Sequence, residues 1–209
     1  MNTGKKLLLL GGSEQQVIAI RKAKELGFYT VLCDYLGDNP GQNVADKFYQ
    51  ESTTDKEAIL RVAMDEEIDG IIAYASDPAA PTAAYVAEKM GLPSNPYKSV
   101  EILCNKDKFR DFLSNNGFNV PVSKGFSDKG EVKSEIGAFN LPVIIKPVDS
   151  SGSKGITVLR DWNELDKALD YAFSFSRSKH IIIEEFIEKK HEYLIGGDVF
   201  VVDPMLATG

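Results

Sequence analysis

Several short stretches of this 209-residue chain combine residue types and spacings that can do chemistry. The densest runs from Val143 to Val158, where an apolar run ending in Lys146-Pro147 leads into Asp149-Ser150-Ser151-Gly152-Ser153-Lys154-Gly155 and a second apolar run. Small hydroxyl and glycine residues let backbone N–H groups approach an anion closely, and Lys146 and Lys154 bring positive charge to the same place, which makes a phosphate clamp. It is not the Walker type, which needs Gly-x-x-x-x-Gly-Lys-Ser/Thr leading into a helix. A flexible hairpin with solvated lysines is the plain alternative. Further on, Ile181-Ile182-Ile183 runs into Glu184-Glu185-Phe186-Ile187 and then Glu192. Carboxylates beside apolar residues offer an acceptor to an adenine amino group and an apolar wall to its ring; otherwise they are a solvated strand end. Lys106, in Asn105-Lys106-Asp107-Lys108, begins a helical pattern and by itself reads as a surface lysine.

Near the N-terminus, Gly11-Gly12-Ser13-Glu14 lies where an apolar run ends and a helix starts, a place that favours a phosphate or carboxylate. Asp34, about 20 residues after the glycines, keeps a dinucleotide site open. However, Gly-x-Gly-x-x-Gly is missing, and Glu14 would crowd a pyrophosphate. A purely structural tight turn is the third reading. His180 and His191 have no Cys, His or carboxylate set at zinc spacing, so no metal ligand is assigned. No serine sits in Gly-x-Ser-x-Gly, and Cys104 reads as a small buried residue rather than a nucleophile.

The elements that must hold these residues follow from hydrophobic period. Leu7 to Leu10 is a continuous apolar run, as a strand buried on both faces of a parallel sheet requires. A helix with Ala19, Ala23 and Leu26 on one face comes next, ended by Gly27, followed by a strand from Tyr29 that ends at Cys33-Asp34. Then come a turn at Asn39-Pro40-Gly41, a short Phe48-Tyr49 strand, a helix carrying Ile59, Val62 and Ala63, a buried strand Ile71–Tyr74, and a helix with Ala83, Ala87 and Met90. This alternation predicts a Rossmann-like parallel sheet over residues 1–97. Residues 98–116 read as one helix with Phe109, Phe112 and Leu113 on a face and Gly117 as its cap. Beyond Val120-Pro121 the pattern predicts an α+β module, with strands at 143–146, 156–159, 181–184 and 192–202. One helix at 162–175 is opened by Asp161 with Glu164 and has Leu165, Ala168, Leu169, Ala172 and Phe173 on its apolar face.

Composition narrows the field. With 31 acidic and 24 basic residues the net charge is −7, which excludes a binder that relies on a broad basic face for nucleic acid. Two cysteines cannot build a disulfide scaffold, and four leucines are too few for a signal peptide core or membrane span. A cytoplasmic protein with no nucleic-acid or membrane partner is expected.

Taken in order, these features resemble the ATP-grasp superfamily over residues 98–200. The resemblance implies that Lys106 and Lys146 reach the nucleotide phosphates and that Ser150, Ser151, Gly152, Ser153, Lys154 and Gly155 fold over them. It implies that Glu184 holds adenine through its carboxylate, with the backbone of Glu185, Phe186 and Ile187 completing the hinge, and that Glu192 takes the ribose hydroxyls. The first module is similar to the domain that precedes ATP-grasp in biotin carboxylase, the carbamoyl phosphate synthase large subunit and purine-pathway ligases. There Gly11, Gly12, Ser13, Glu14 and Asp77 would hold the acceptor. Lys146-Pro147-Val148-Asp149-Ser150-Ser151 is most like the formyltransferase and synthase-like members.

The implied fold is a pre-ATP-grasp parallel sheet at 1–97, linker helices at 98–120, a nucleotide-clamp subdomain at 121–190 and the start of a further lobe at 191–209. The implied reaction is activation of a carboxylate as an acylphosphate by ATP and Mg²⁺, followed by attack of an amine or similar nucleophile. The family holds its magnesium with a Glu followed by a Glu-x-Asn, and no such set appears before Gly209, so the ligands are expected beyond residue 209 and this chain is not expected to turn over alone. The expected partners are ATP and a small carboxylate or amine, with a homodimer left open and no catalytic residue assigned. A non-catalytic nucleotide-binding module and a dinucleotide-binding Rossmann protein are the alternatives. The stretch from Asp203 to Gly209 is similar to a phosphoribosyltransferase loop, with nothing upstream to support it.

Overall fold

The computed structural model describes residues 4–193 and 196. In its first part β1 (Lys6–Leu10), α1 (Val17–Glu25), β2 (Tyr29–Asp34), β3 (Lys47–Gln50), α2 (Lys56–Glu66), β4 (Gly70–Ile72) and α3 (Ala80–Met90) build a parallel sheet in the order β3-β2-β1-β4. The leucine run explains the layering, because successive side chains of a strand point to opposite faces. Leu8 and Leu10 pack with Ile59, Val62 and Ala63 of α2 and Ala83 and Val86 of α3, whereas Leu9 packs with Ile20 of α1 and Leu32 of β2.

Two expectations need correction in this part. The buried face of α1 is Val17, Ile20 and Ala23; Leu26 is exposed because it is the C-cap, where the chain leaves the helix through Gly27 at φ 86°. The strand expected at Ile71–Tyr74 is three residues long and lies at the sheet edge, so Ile72 and Tyr74 are exposed rather than buried.

The single helix expected at 98–116 is two, α4 (Tyr97–Cys104) and α5 (Lys106–Asn115). Asn105 breaks it with extended backbone (φ −116°, ψ 117°), and its side-chain amide donates to Glu101 O at 2.8 Å, closing α4. The break frees the Lys106 amide to donate to Val148 O at 3.3 Å, which ties the start of α5 to the phosphate-clamp segment. Phe112 of the expected apolar face is exposed, and Gly117 (φ 78°) follows α5 as expected.

The second sheet is antiparallel, in the order β5-β8-β6-β7, from β5 (Ser123–Phe126), β6 (Val143–Pro147), β7 (Thr157–Leu159) and β8 (Ile181–Glu185), with α6 (Lys129–Glu135) and α7 (Leu165–Phe175). Phe126, Val143, Ile145, Ile181 and Ile183 face Leu165, Ala168, Leu169 and Ala172 of α7 and form its core. The alternate residues Lys146 and Glu184 therefore point to the opposite face, where α5 lies. β5 and α6 were not expected from sequence; the expected strand at 192–202 and the Asp203–Gly209 stretch lie outside the described residues except for Glu192, Tyr193 and Gly196. The fold is mixed α/β, one parallel and one antiparallel sheet, and among the described residues no helix is long and apolar enough to cross a membrane.

Candidate functional site

The loop from Asp149 to Gly155 is shaped by backbone that few side chains tolerate. Gly152, Ser153 and Gly155 have φ of 65°, 58° and 75°, and a Cβ on Gly155 would lie 2.6 Å from Pro147 Cγ and 2.9 Å from Phe175 Cβ. Among the described residues, no backbone N–H from Ser151 to Ile156 donates to another backbone carbonyl outside strand pairing, which leaves these donors for an anion. The base of the loop is pinned by Asp149, whose carboxylate accepts from Ser178 N at 2.7 Å and Arg177 N at 3.3 Å, while the Arg177 guanidinium donates to Asp149 O. Burial pushes the Asp149 carboxyl up, but the Ser178 hydrogen bonds and the Arg177 charge outweigh it and hold its pKa below the ordinary value.

From α5, Lys106 Nζ donates to Ser150 O at 2.7 Å and to Val148 O at 3.4 Å. Burial, and then the neighbouring Lys146 ammonium, lower the Lys106 pKa below the ordinary lysine value. Lys146 itself pairs with the Glu184 carboxylate, and Arg110 Nε donates to the other oxygen of Glu184 at 2.8 Å. Glu184 is only 2% exposed.

A cavity of about 630 Å³ gathers Lys106, Ser150, Ser151, Gly152 and Ser153, with Arg177 and Asp77 also in its lining. Other expected residues stand apart from its lining. Gly155 lies against Pro147, and Lys146 and Glu184 form an ion pair. Glu185 is an exposed strand end, the Phe186 amide is taken by Pro142 O at 3.0 Å, and Ile187 and Glu192 are exposed.

A second cavity, about 770 Å³, lies at the ends of β1, β2 and β4 and is lined by Gly11, Ser13, Glu14, Asp77 and Lys154 among others. Gly12 is beneath it: its N–H donates to Asp34 Oδ2 at 2.7 Å and its carbonyl accepts from Gly41 N at 2.9 Å. Asp34 Oδ1 meanwhile accepts from Leu36 N at 2.9 Å. Both oxygens of the carboxylate that a dinucleotide ribose would use are thus engaged by main chain, which argues against the dinucleotide site. Gln16 braces the same corner, accepting from Ser13 N and donating to Tyr74 O. The two cavities share Asp77, Pro78, Ser151 and Arg177.

Comparison with known proteins finds relatives of this chain. Residues 112–196 match the family described as D-ala D-ala ligase C-terminus, an ATP-grasp domain. The chain is 33% identical over 193 residues to the formate-dependent phosphoribosylglycinamide formyltransferase of Prochlorococcus marinus (strain NATL2A), covering 88% of this chain and 48% of that protein.

Over these residues the chain is similar to the ATP-grasp ligases.

Its fold is similar to that of the ADP-complexed N5-carboxyaminoimidazole synthetase of Staphylococcus aureus (TM-score 0.69, 18% identity, 91% of this chain and 49% of that one). It is also similar to the biotin carboxylase domain dimer of the Hydrogenobacter thermophilus 2-oxoglutarate carboxylase, solved with MgADP and bicarbonate (TM-score 0.61, 23% identity, 88% and 44%). The chain spans about half the length of these relatives. Among its described residues no group of three or more His, Cys, Asp or Glu is placed to hold a metal ion. Sequence reasoning did not single out Arg110, which pairs with Glu184, or Arg177, which lines both cavities. The position of Arg110 one turn after Lys106 on α5 was the available signal for the first; Arg177 had none.

Proposed function

We propose that this chain carries the nucleotide clamp and the acceptor cavity of an ATP-dependent carboxylate–amine ligase. The observation that carries the reading is the convergence of Lys106, Ser150, Ser151, Gly152 and Ser153 on one cavity that shares Asp77, Ser151 and Arg177 with a second. In the first, the Lys106 ammonium and free loop amides would hold the β- and γ-phosphates, with Lys146 supplying charge from behind. In the second, Ser13, Glu14 and Asp77 would hold a small carboxylate or amine. The shared wall would put the transferred phosphoryl group within reach of both, so a carboxylate would be activated there as an acylphosphate and the nucleophile would arrive from the side of the parallel sheet. Divalent cations supply charge neutralisation in such transfers. The activities for which the relatives are named, formate-dependent formyl transfer to phosphoribosylglycinamide and carboxylation, belong to the same class of chemistry. A cytoplasmic setting fits these substrates.

Calorimetric titration tests the clamp. ATP is expected to bind the wild-type chain, and Lys106→Met and Lys146→Met are each expected to weaken it roughly ten-fold or more, the cost of one lost charge at a poorly screened phosphate. Absence of binding at millimolar ATP refutes the assignment. ATP binding without any carboxylate-dependent ADP release in a chain as long as the relatives would instead favour a non-catalytic nucleotide module.

A further inference from the structure

We propose that Arg110 is a positioning residue of the phosphate site: it neutralises the buried Glu184 carboxylate, so that Lys146 keeps a net positive charge for the nucleotide. The inference rests on the nucleotide reading above and assigns a role to a residue outside that cavity's lining. Lys106 and Arg110 are four apart on α5, so their side chains leave the same helix face. Lys106 reaches the loop carbonyls of Val148 and Ser150, and Arg110 reaches across to β8, where its Nε donates to Glu184 Oε1 at 2.8 Å. The other oxygen, Oε2, is paired with Lys146.

Charge counting gives this arrangement its meaning. A buried carboxylate has to be compensated, and the side chain of Glu184 is 3% exposed. With Lys146 as its only partner the pair would be neutral, and an ammonium committed to Glu184 would offer a phosphate little field. With Arg110 present the trio carries one net positive charge. The side chains of Arg110 and Lys146 are 26% and 14% exposed, so water screens that charge poorly. Arg110 also takes Glu184 from the α5 side, which lets Lys146 turn toward a phosphate without stranding a buried anion.

The test titrates adenosine, ADP and ATP into the wild type, Arg110→Met, Arg110→Lys and the double variant Arg110→Met/Glu184→Gln, with folding checked by thermal unfolding. Arg110→Met is expected to weaken ATP roughly ten-fold or more while adenosine changes by less than about two-fold. Arg110→Lys keeps the charge and is expected to retain most of the ATP affinity. The double variant removes both the cation and the anion, restores the net charge on Lys146, and is expected to recover ATP binding toward the wild-type value. A merely structural Arg110 would weaken all three ligands equally and would not be rescued by Glu184→Gln, and either result overturns the proposal. So does unchanged ATP affinity in Arg110→Met. If Arg110→Met does not fold, the ratio of ATP to adenosine affinity in Arg110→Lys and the double variant decides by itself, and a collapsed ratio in both overturns the charge role. A wild-type chain that binds none of the three ligands overturns the nucleotide reading and this inference with it.

Discussion

Lys106 shows how one side chain can carry both a cost and a function. It is drawn into the protein beside a second ammonium, and burial first, then Lys146, lower its pKa below the ordinary lysine value. In the pH window between that lowered value and the ordinary one, the unfolded chain holds a proton that the folded chain has released. The slope of stability with pH is therefore positive there, and deprotonation relieves the folded state. A bound phosphate reverses the preference by favouring the ammonium, so ATP binding should take up a proton in the same window and its affinity should fall as the pH rises. Calorimetry in two buffers of different ionisation enthalpy measures that uptake directly. The wild type should show it at alkaline pH and Lys106→Met should not; an uptake that persists in Lys106→Met would assign the proton to another group.

Among the elements, the loop between β6 and β7 is where local backbone and site chemistry meet. Gly155 combines φ of 75° with a Cβ position 2.6 Å from Pro147 Cγ, so Gly155→Ala should cost about 1–3 kcal/mol from strain and overpacking together. Ser153, at φ 58° and already carrying a Cβ, is the converse case. Ser153→Gly should be close to neutral, because relief of left-handed strain offsets the added freedom of the unfolded chain. Urea unfolding of the two variants separates them, and a neutral Gly155→Ala would contradict the packing account. The loop, the strands on either side and α7 were legible in the sequence because their signals are local: a glycine-rich run between apolar runs, and an apolar period of 3.6 after Asp161. β5 was not, since Ser123-Lys124-Gly125-Phe126 buries only Phe126 and shows no apolar alternation. The division of α4 from α5 depends on one extended residue, Asn105, inside an otherwise continuous helical pattern. Arg110 and Arg177 escaped because their partners, Glu184 and Asp149, lie 74 and 28 residues away, a distance that local pattern does not span.

Across the whole molecule, the cores of the two sheets share no residue. Leu8, Leu10, Ile59 and Val86 belong to one, and Phe126, Ile145, Leu169 and Ile183 to the other. Each buries its own apolar surface, so each should unfold as a cooperative unit, joined through α4 and α5 and across the cavities at Asp77, Ser151 and Arg177. Trp162 is the single tryptophan and packs against the antiparallel-sheet core, so its fluorescence reports that unit alone, while far-ultraviolet circular dichroism reports both. Without ligand the two signals are expected to give separate thermal transitions. ATP in the first cavity would touch the antiparallel side through Lys106 and the loop, and the parallel side through Asp77 and Pro78. At a hundred times its dissociation constant it should raise the Trp162 transition by about 2.7 kcal/mol and draw the two transitions together, because unfolding either wall then releases the ligand. Coincident transitions without ATP would mean that the α4–α5 connection already couples the sheets. Transitions that stay apart at saturating ATP would mean that the nucleotide binds one wall only, and the shared lining at Asp77 would then play no part in holding it.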